Sequence, residues 1–171
     1  MNFKMKRPIF IPVLLSAVCL LWSCGYTVRP GILQDIRTVN VALFENETYE
    51  HAVEVDLARL LSREFIVDGG LSVSGLQAAD ARISGTIKEY ILEPHVYGDE
   101  EADVEQYLLK IRAQVSLESL PAGEIIWVED VIEGETAYHV EGPFAMTEAE
   151  ARNEALRDLA RRIVLRTVGA W

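Results

Sequence analysis

The sequence predicts an α+β fold: a two-layer sandwich in which two helices pack on one face of a mostly antiparallel, four- to five-stranded sheet. Residues 107–117 alternate strictly between apolar and polar side chains, which is the period of a strand with one buried face. Apolar residues at spacings of three and four indicate an amphipathic helix on either side of the strand-rich part. Because the helices flank an antiparallel meander, we expect both of them on the same face of the sheet.

The first part of the domain predicts a strand and then a helix. The strand covers residues 37–44, where apolar residues alternate with smaller or polar ones. Asn46 or Thr48 can cap the helix, which extends over about 49–67, and the pair Gly69–Gly70 ends it because glycine adopts the left-handed conformation cheaply. The residues that should face the core are Val39, Val41 and Leu43 in the strand, and Val53, Leu57, Leu60, Leu61 and Phe65 in the helix.

A short strand over 71–74 precedes a long hairpin. The hairpin arms are residues 81–92 and 107–117, and the segment between them is rich in turn-forming and acidic residues. In the first arm, an unbroken alternation would place Tyr90 among the basic residues of one face and Ile91 among the apolar residues of the other. The two faces of this arm would be Arg82, Lys88 and Tyr90, and Ile83, Ile87 and Ile91.

The last predicted strand covers residues 124–133, after a tight turn. Trp127 lies on one face, and the neighbouring positions Ile126 and Val128 are apolar too, so this strand could be covered on both sides. Residues 134–146 should form a loop that leads to the closing helix.

The closing helix has a clear start. Thr147 and Glu150 stand three residues apart in the pattern of a capping box, in which each side chain bonds the other residue's backbone N–H. An apolar stripe follows, and its burial should hold the helix on the sheet. The stripe consists of Ala151, Ala155, Leu156, Leu159, Ile163 and Val168.

The N-terminus has the pattern of a bacterial lipoprotein leader. Three basic residues are followed by an apolar run over 9–22, which is shorter than the roughly 20 apolar residues of a spanning helix. Leu21 and Ser23 precede Cys24 with lipobox spacing, which predicts cleavage before Cys24 and its modification to an N-palmitoyl, S-diacylglycerol cysteine. An uncleaved anchor or plain secretion is the alternative.

This processing would divide the chain into a signal peptide (1–23), a lipidated tether (24–36) and a single domain (37–171). A lipid anchor with several acyl chains binds membranes stably, since each buried methylene contributes about 0.8 kcal/mol. Gly25 follows the cysteine where an aspartate would retain the protein, and by resemblance to Gram-negative lipoproteins this favours the periplasmic side of the outer membrane.

Composition excludes several classes of function. The formal net charge of −11 argues against nucleic acid as a partner, because phosphate backbones require basic surfaces. The 2 cysteines are Cys19, inside the leader, and Cys24, so the mature domain has no thiol for a disulfide or a metal site. We therefore predict no cofactor and no resident metal.

Nothing in the sequence indicates catalysis. The three histidines, His51, His95 and His139, stand singly, and no phosphate loop, nucleophile elbow or helix-borne metal motif occurs. The acidic residues 99–103 lack the spacing of a calcium-binding EF-hand loop, so they are interpreted as a solvated turn. We predict that the protein is not an enzyme.

An ordered set of segments resembles the LptE family of lipopolysaccharide-assembly lipoproteins. These segments are Cys24–Tyr26 with Arg29–Pro30, the strand Val39–Asn46, the strand Ala79–Ile87, and the closing helix. The resemblance implies two helices on a four-stranded sheet, and a role as a plug inside the LptD β-barrel. It implies that the protein supports assembly of that barrel and helps to place lipopolysaccharide in the outer leaflet. The alternative is another outer-membrane lipoprotein of similar fold, which activates cell-wall synthesis or belongs to a secretion assembly.

The resemblance also places the candidate contacts with barrel or lipopolysaccharide. They lie in two loops, at Tyr97 and at Tyr138 and His139, and on a basic strand face. Where the family has basic loops, this chain has acidic or neutral ones. The basic residues of the strand face could instead pair with acids on neighbouring strands. They are Arg82, Lys88, Lys110 and Arg112.

Overall fold

The computed structural model describes residues 36–97 and 104–169. Cys24, the leader, most of the tether and the acidic segment at 99–103 lie outside these residues. Within them, no helix is long and apolar enough to cross a membrane. The elements are β1 (Thr38–Val41), β2 (Glu45–Asn46), α1 (Val53–Asp68), β3 (Ser72–Val73), a 3-10 turn (Leu76–Ala78), β4 (Ala81–Tyr97), β5 (Val104–Ser119), β6 (Glu124–His139) and α2 (Glu148–Val168).

The strands form one mixed sheet of six strands in the order β3-β1-β4-β5-β6, with β2 also paired to β4. Strand β5 is antiparallel to both of its neighbours, β4 and β6; β1 is parallel to β3 and β4, and β2 is parallel to β4. The expected strand number and the mostly antiparallel arrangement were therefore wrong. The reason is α1, which returns the chain to the start of the sheet and so makes β3 parallel to β1.

A single hydrophobic core lies between the two helices and one face of the sheet, as the alternation of β5 predicted. Every second residue of β5 from Leu109 to Leu117 is buried, and the residues between them are only partly buried. Both predicted helix stripes contribute to this core. The two-layer α+β architecture, with both helices on one face, follows from these buried stripes.

Helix α2 lies directly against the backbone of β6 at Gly134. A Cβ atom there would overlap the carbonyl oxygen of Ala155 and the backbone nitrogen of Leu159. The strand continues to His139, six residues beyond its expected end at Glu133, because glycine serves here as a contact point and not as a turn.

The capping box of α2 is confirmed. The backbone N–H of Glu150 donates to Thr147 Oγ1 at 3.3 Å, and the backbone N–H of Thr147 donates to Glu150 Oε2 at 2.8 Å. The first turn of the helix therefore has partners for N–H groups that a helix start leaves free.

Helix α1 begins later than predicted, and neither proposed cap was correct. Asn46 Oδ1 accepts from the backbone N–H of Thr48 at 2.9 Å, which forms a turn before the helix instead of capping it. Ala52 occupies the N-cap position in a left-handed conformation (φ 63°) without a side-chain cap. Gly69 ends the helix with φ 74°, as predicted.

Two departures from simple alternation change which residues face the core. Strand β1 ends at Val41. Phe44 is buried in place of Leu43, and its ring lies next to Gly85, where a larger residue would overlap it. In β4, a bulge between Ile87 and Glu89 adds one residue. Beyond it Tyr90 faces the helices and Ile91 the other side, the reverse of the prediction.

Asp80 joins the starts of β1 and β4, which are neighbouring strands inside the sheet. Its Oδ2 accepts from the backbone N–H groups of Arg37 and Thr38, each at 2.9 Å, and from the Thr38 hydroxyl at 2.8 Å. These hydrogen bonds, the one from Arg37 first, hold the pKa of Asp80 below its ordinary value. The start of β1 is thereby tied to the start of β4.

We expect Gly134→Ala to destabilise the domain by about 1–3 kcal/mol, because the methyl group has to push the α2 backbone off the sheet. The measurement is urea unfolding followed by circular dichroism. The matched control is Gly75→Ala, where no atom lies within 4 Å of the added Cβ. Equal effects of the two substitutions would contradict the close contact.

We expect Asp80→Asn to destabilise the domain at pH 7 and to matter less in acid. The native pKa of Asp80 is lowered, so its carboxylate stabilises the fold above the unfolded value of about 3.9 and loses this contribution as the pH falls through the native pKa. Urea unfolding should show that the difference in unfolding free energy between variant and wild type is smaller at pH 3 than at pH 7. Glu124→Gln, at an exposed position, should show no such pattern.

Candidate partner-binding surface

The face of the sheet that the helices leave uncovered, which we call the open face, has two chemically different halves. Ion pairs cover the half toward the β4–β5 hairpin tip, and a groove lies in the half toward the start of β4. The bulges in β4 and β6 determine which side chains reach this face.

Arg112 is the centre of the charged half. It donates to Glu89 at 2.8 Å on one neighbouring strand and to Glu133 on the other. These carboxylates, Glu133 first, raise the pKa of its guanidinium above the ordinary value. Lys110 is 3.4 Å from Glu93. Solvent screens partly exposed pairs of this kind, so they neutralise the face more than they stabilise it.

Three of the four basic residues of the predicted strand face are therefore paired with acids. The third is Lys88, whose Nζ is 2.7 Å from Glu47. The sequence left open that these basic residues pair with nearby acids and do not contact a ligand, and the structure has this pairing. Arg82 differs: its Nε is buried and has no hydrogen-bond partner among the described residues.

Arg82 lies in the groove, which has a volume of about 460 Å³. Exposed apolar side chains line part of it: Leu43 is 64% exposed, Ile125 66% and Val128 47%. The expectation that β6 could be covered on both faces was therefore wrong for the described residues. The polar lining comes from Glu45, Ser84, Thr86, Gln114 and Ser116. The groove combines one cation and one carboxylate with hydroxyl, amide and apolar groups, a mixture suited to contact with a polypeptide or an amphiphile.

The three candidates expected in loops lie instead at the ends of strands, Tyr97 in β4 and Tyr138 and His139 in β6, because both strands are longer than predicted. Tyr138 is only 5% exposed and stacks on Tyr107 with ring centroids 5.9 Å apart. Burial raises the pKa of its hydroxyl. His139 is exposed, with Nε2 3.3 Å from Gln106 Nε2. Tyr97 ends β4, and its side chain lies outside the described part of the chain.

Phe144 is the exposed aromatic residue in the loop between β6 and α2, and sequence reasoning missed it. It is 79% exposed. The loop is closed at its neck because the backbone N–H of Met146 donates to the carbonyl of His139 at 2.9 Å. Its exposure could have been predicted from the sequence, because Phe144 follows the turn-forming pair Gly142–Pro143 and belongs to neither periodic apolar stripe.

Tyr90 connects β4 to the start of α2. Its hydroxyl donates to Glu148 Oε1 at 3.0 Å, and burial together with this carboxylate raises its pKa. Among the described residues, no group of three or more His, Cys, Asp or Glu side chains is arranged to hold a metal ion.

Comparisons with known proteins place this fold. The family model described as "LptE: Lipopolysaccharide-assembly" matches residues 36–167. Protein XCC0632 from Xanthomonas campestris, of the DUF330 family, superposes with a TM-score of 0.56 at 11% identity over 79% of this chain and 85% of that one. A minor lipoprotein from Acinetobacter baumannii gives a TM-score of 0.49 at 14% identity over 78% and 92%. No curated protein matches the sequence.

We expect substitutions of Tyr138 and Phe144, two aromatic residues of one region, to change the stability of the domain by very different amounts. Tyr138→Ser should destabilise the domain by about 3 kcal/mol or more, because it empties a buried site. Phe144→Ser should change the unfolding free energy by less than about 0.5 kcal/mol, because the ring is in solvent. Thermal and urea unfolding measure both. Similar losses for the two variants would show that Phe144 also belongs to the core.

Proposed function

We propose, because the chain belongs to the LptE family of lipopolysaccharide-assembly proteins, that it is an outer-membrane lipoprotein that binds and plugs an LptD-like β-barrel. In this role it supports assembly of the barrel and thereby insertion of lipopolysaccharide into the outer leaflet. The observation that carries the proposal is the family match over residues 36–167, which spans nearly the whole domain.

The charge distribution supports a barrel partner over direct binding of lipid A phosphates. Phosphate recognition uses unpaired basic groups, and Lys88, Lys110 and Arg112 are engaged with carboxylates. Among the four basic candidates, Arg82 is the one best placed to meet a new acceptor, because its Nε has no partner among the described residues. The plug role depends on shape and hydrogen bonding and is compatible with an acidic domain.

The lipid anchor belongs to the same proposal. Cys24 carries the acyl chains, and the tether joins it to the described domain at Ile36. Multiple acyl chains would keep the domain at the membrane surface, where a two-dimensional search raises its effective concentration near a barrel.

The test is photo-crosslinking in a Gram-negative host that expresses the full-length chain. A crosslinking amino acid replaces Phe144 in one variant and Tyr49, which is fully exposed, in another. We expect both to capture a heat-modifiable β-barrel protein, recognised by its gel mobility before and after boiling. Cys24→Ala should remain an unprocessed precursor and lose these crosslinks.

The control position is Val39, which is buried and should give none. Crosslinks from Phe144 and Tyr49 to a cell-wall synthase or a secretion subunit would favour the alternative lipoprotein role. Crosslinks that never include a barrel would refute the plug proposal.

A further inference from the structure

Strand β4 has a free edge in its second half. Up to Ile87 its outer side is paired with β1 and β2, and the last bond on that side runs from the backbone N–H of Glu47 to the carbonyl of Ile87 at 3.0 Å. From Glu89 to Tyr97 it is paired only with β5 among the described residues. This segment we call the β4 free edge.

The register determines which backbone groups of this edge point outward. In a strand, the N–H and C=O of one residue point to the same side and alternate with those of the next. The helix-facing residues Ile83 and Ile87 direct their carbonyls outward, to the backbone N–H groups of Ala42 and Glu47. Beyond the bulge the helix-facing residues are Tyr90 and Leu92, so their N–H and C=O groups point outward too.

Pro94 limits the length of this edge. It is the next helix-facing residue, because it pairs with Tyr107 of β5. Proline has no backbone N–H and is tolerated where that group would point away from the sheet. Before Pro94 the outward donors are Tyr90 and Leu92, and beyond it the register shifts again, so the regular part of the edge fits a short incoming strand of about five residues.

The other long edge of the sheet is covered differently. On β6, the outward backbone N–H of Glu135 donates to Asp158 of α2 at 3.2 Å. The outward carbonyl of His139 accepts from the backbone N–H of Met146 at 2.9 Å. Strand β3 at the opposite edge has only two residues. Short edges, edge covers and edge prolines protect sheets against strand addition. The β4 free edge has Pro94, but before that residue no described segment other than β5 pairs with it.

A recess of about 540 Å³ lies beside the β4 free edge. One wall is the β4 segment from Lys88 to Ile91, and the other is the turn from Glu47 to Glu50. Asn46 holds this turn in place, because its Nδ2 donates to the Glu50 carbonyl at 2.7 Å. The recess begins where β2 ends, so a strand that continues the line of β2 would lie at hydrogen-bonding distance from β4.

The charge of the recess indicates what kind of segment it accepts. Its lining contains Glu47, Glu50 and Glu89 against one basic residue, Lys88, in a chain with a net charge of −11. Lys88 is already paired with Glu47, and Glu89 accepts from Arg112 of β5, so Glu50 is the lining carboxylate without a basic partner among the described residues. A second copy of this chain would bring the same acids to the interface, and like charges across paired strands are destabilising.

We propose that the β4 free edge adds one extended, basic segment of a partner protein as a further strand. The segment has apolar side chains toward Tyr90 and Leu92 and lysine or arginine on the opposite face, next to Glu89. The outward N–H and C=O groups of Tyr90 and Leu92 supply the main-chain bonds. This inference stands on strand geometry and charge and does not depend on the proposed function.

The test uses the full-length, isotope-labelled chain in detergent and measures amide hydrogen exchange at Tyr90 and Leu92 by NMR. The probe is the heptapeptide Val-Lys-Val-Lys-Val-Lys-Val, and the charge-reversed control has glutamate in place of lysine. We expect the lysine peptide to slow exchange at both amides at least tenfold, and the glutamate peptide to slow it less than twofold.

Two variants separate the backbone from the side chain. Leu92→Pro removes one outward N–H and should abolish the slowing at Tyr90, whereas Leu92→Ala keeps that N–H and should retain the slowing. If the proline variant does not fold, the alanine variant and the peptide pair still decide the matter.

Three results would overturn the proposal. One is unchanged exchange with the lysine peptide. Another is slow exchange at both amides in the monomer without peptide, which would mean that the chain covers its own edge. The third is slowing that rises with protein concentration alongside a dimer in light scattering, which would identify a second copy as the occupant.

Discussion

The contrast between the two faces of β5 is the constraint on which the rest of the structure depends. Its apolar residues, from Leu109 to Leu117, have to be covered, and the two helices are the elements that cover them. A one-residue slip of this strand would expose all of its buried residues, and each large side chain among them contributes about 1.5–3 kcal/mol when buried. The strands on both sides of β5 therefore have to adjust to its register by bulges, which β4 and β6 do.

The sequence predicted the features that are local in the chain. The alternation of β5, the helix stripes and the capping box at Thr147 depend on neighbours within a few residues, and the structure has all of them. The bulge at Lys88 could not be predicted, because it depends on the pairing of strands that are far apart in the sequence. The strands β1 and β3 were predicted, but their parallel direction was missed, because a crossover between two short strands leaves no periodic signal in the sequence.

The candidate surface was predictable in composition and not in arrangement. The sequence shows that Lys88, Lys110 and Arg112 are near one another in the hairpin, but it does not show their acidic partners. Glu89, Glu93 and Glu133 become partners through the register of three strands, and Glu47 through the turn after β2. Tyr138 and Phe144 show the same limit. Both are aromatic residues near a turn, and only the path of the loop decides that one stacks in the core and the other is in solvent.

The paired charges and the β4 free edge lead to one view of recognition by this domain. An acidic domain in which three of the four basic residues of the strand face are already engaged gains little from long-range attraction to phosphates or anionic lipid. Directional groups remain: backbone N–H and C=O at an edge, and an exposed aromatic ring on a closed loop. Such groups select a partner by geometry, because an unpaired backbone group that loses water without gaining a bond costs about 1–3 kcal/mol. A partner with a complementary edge or pocket satisfies them, whereas a fluid lipid surface presents no fixed array of acceptors and donors.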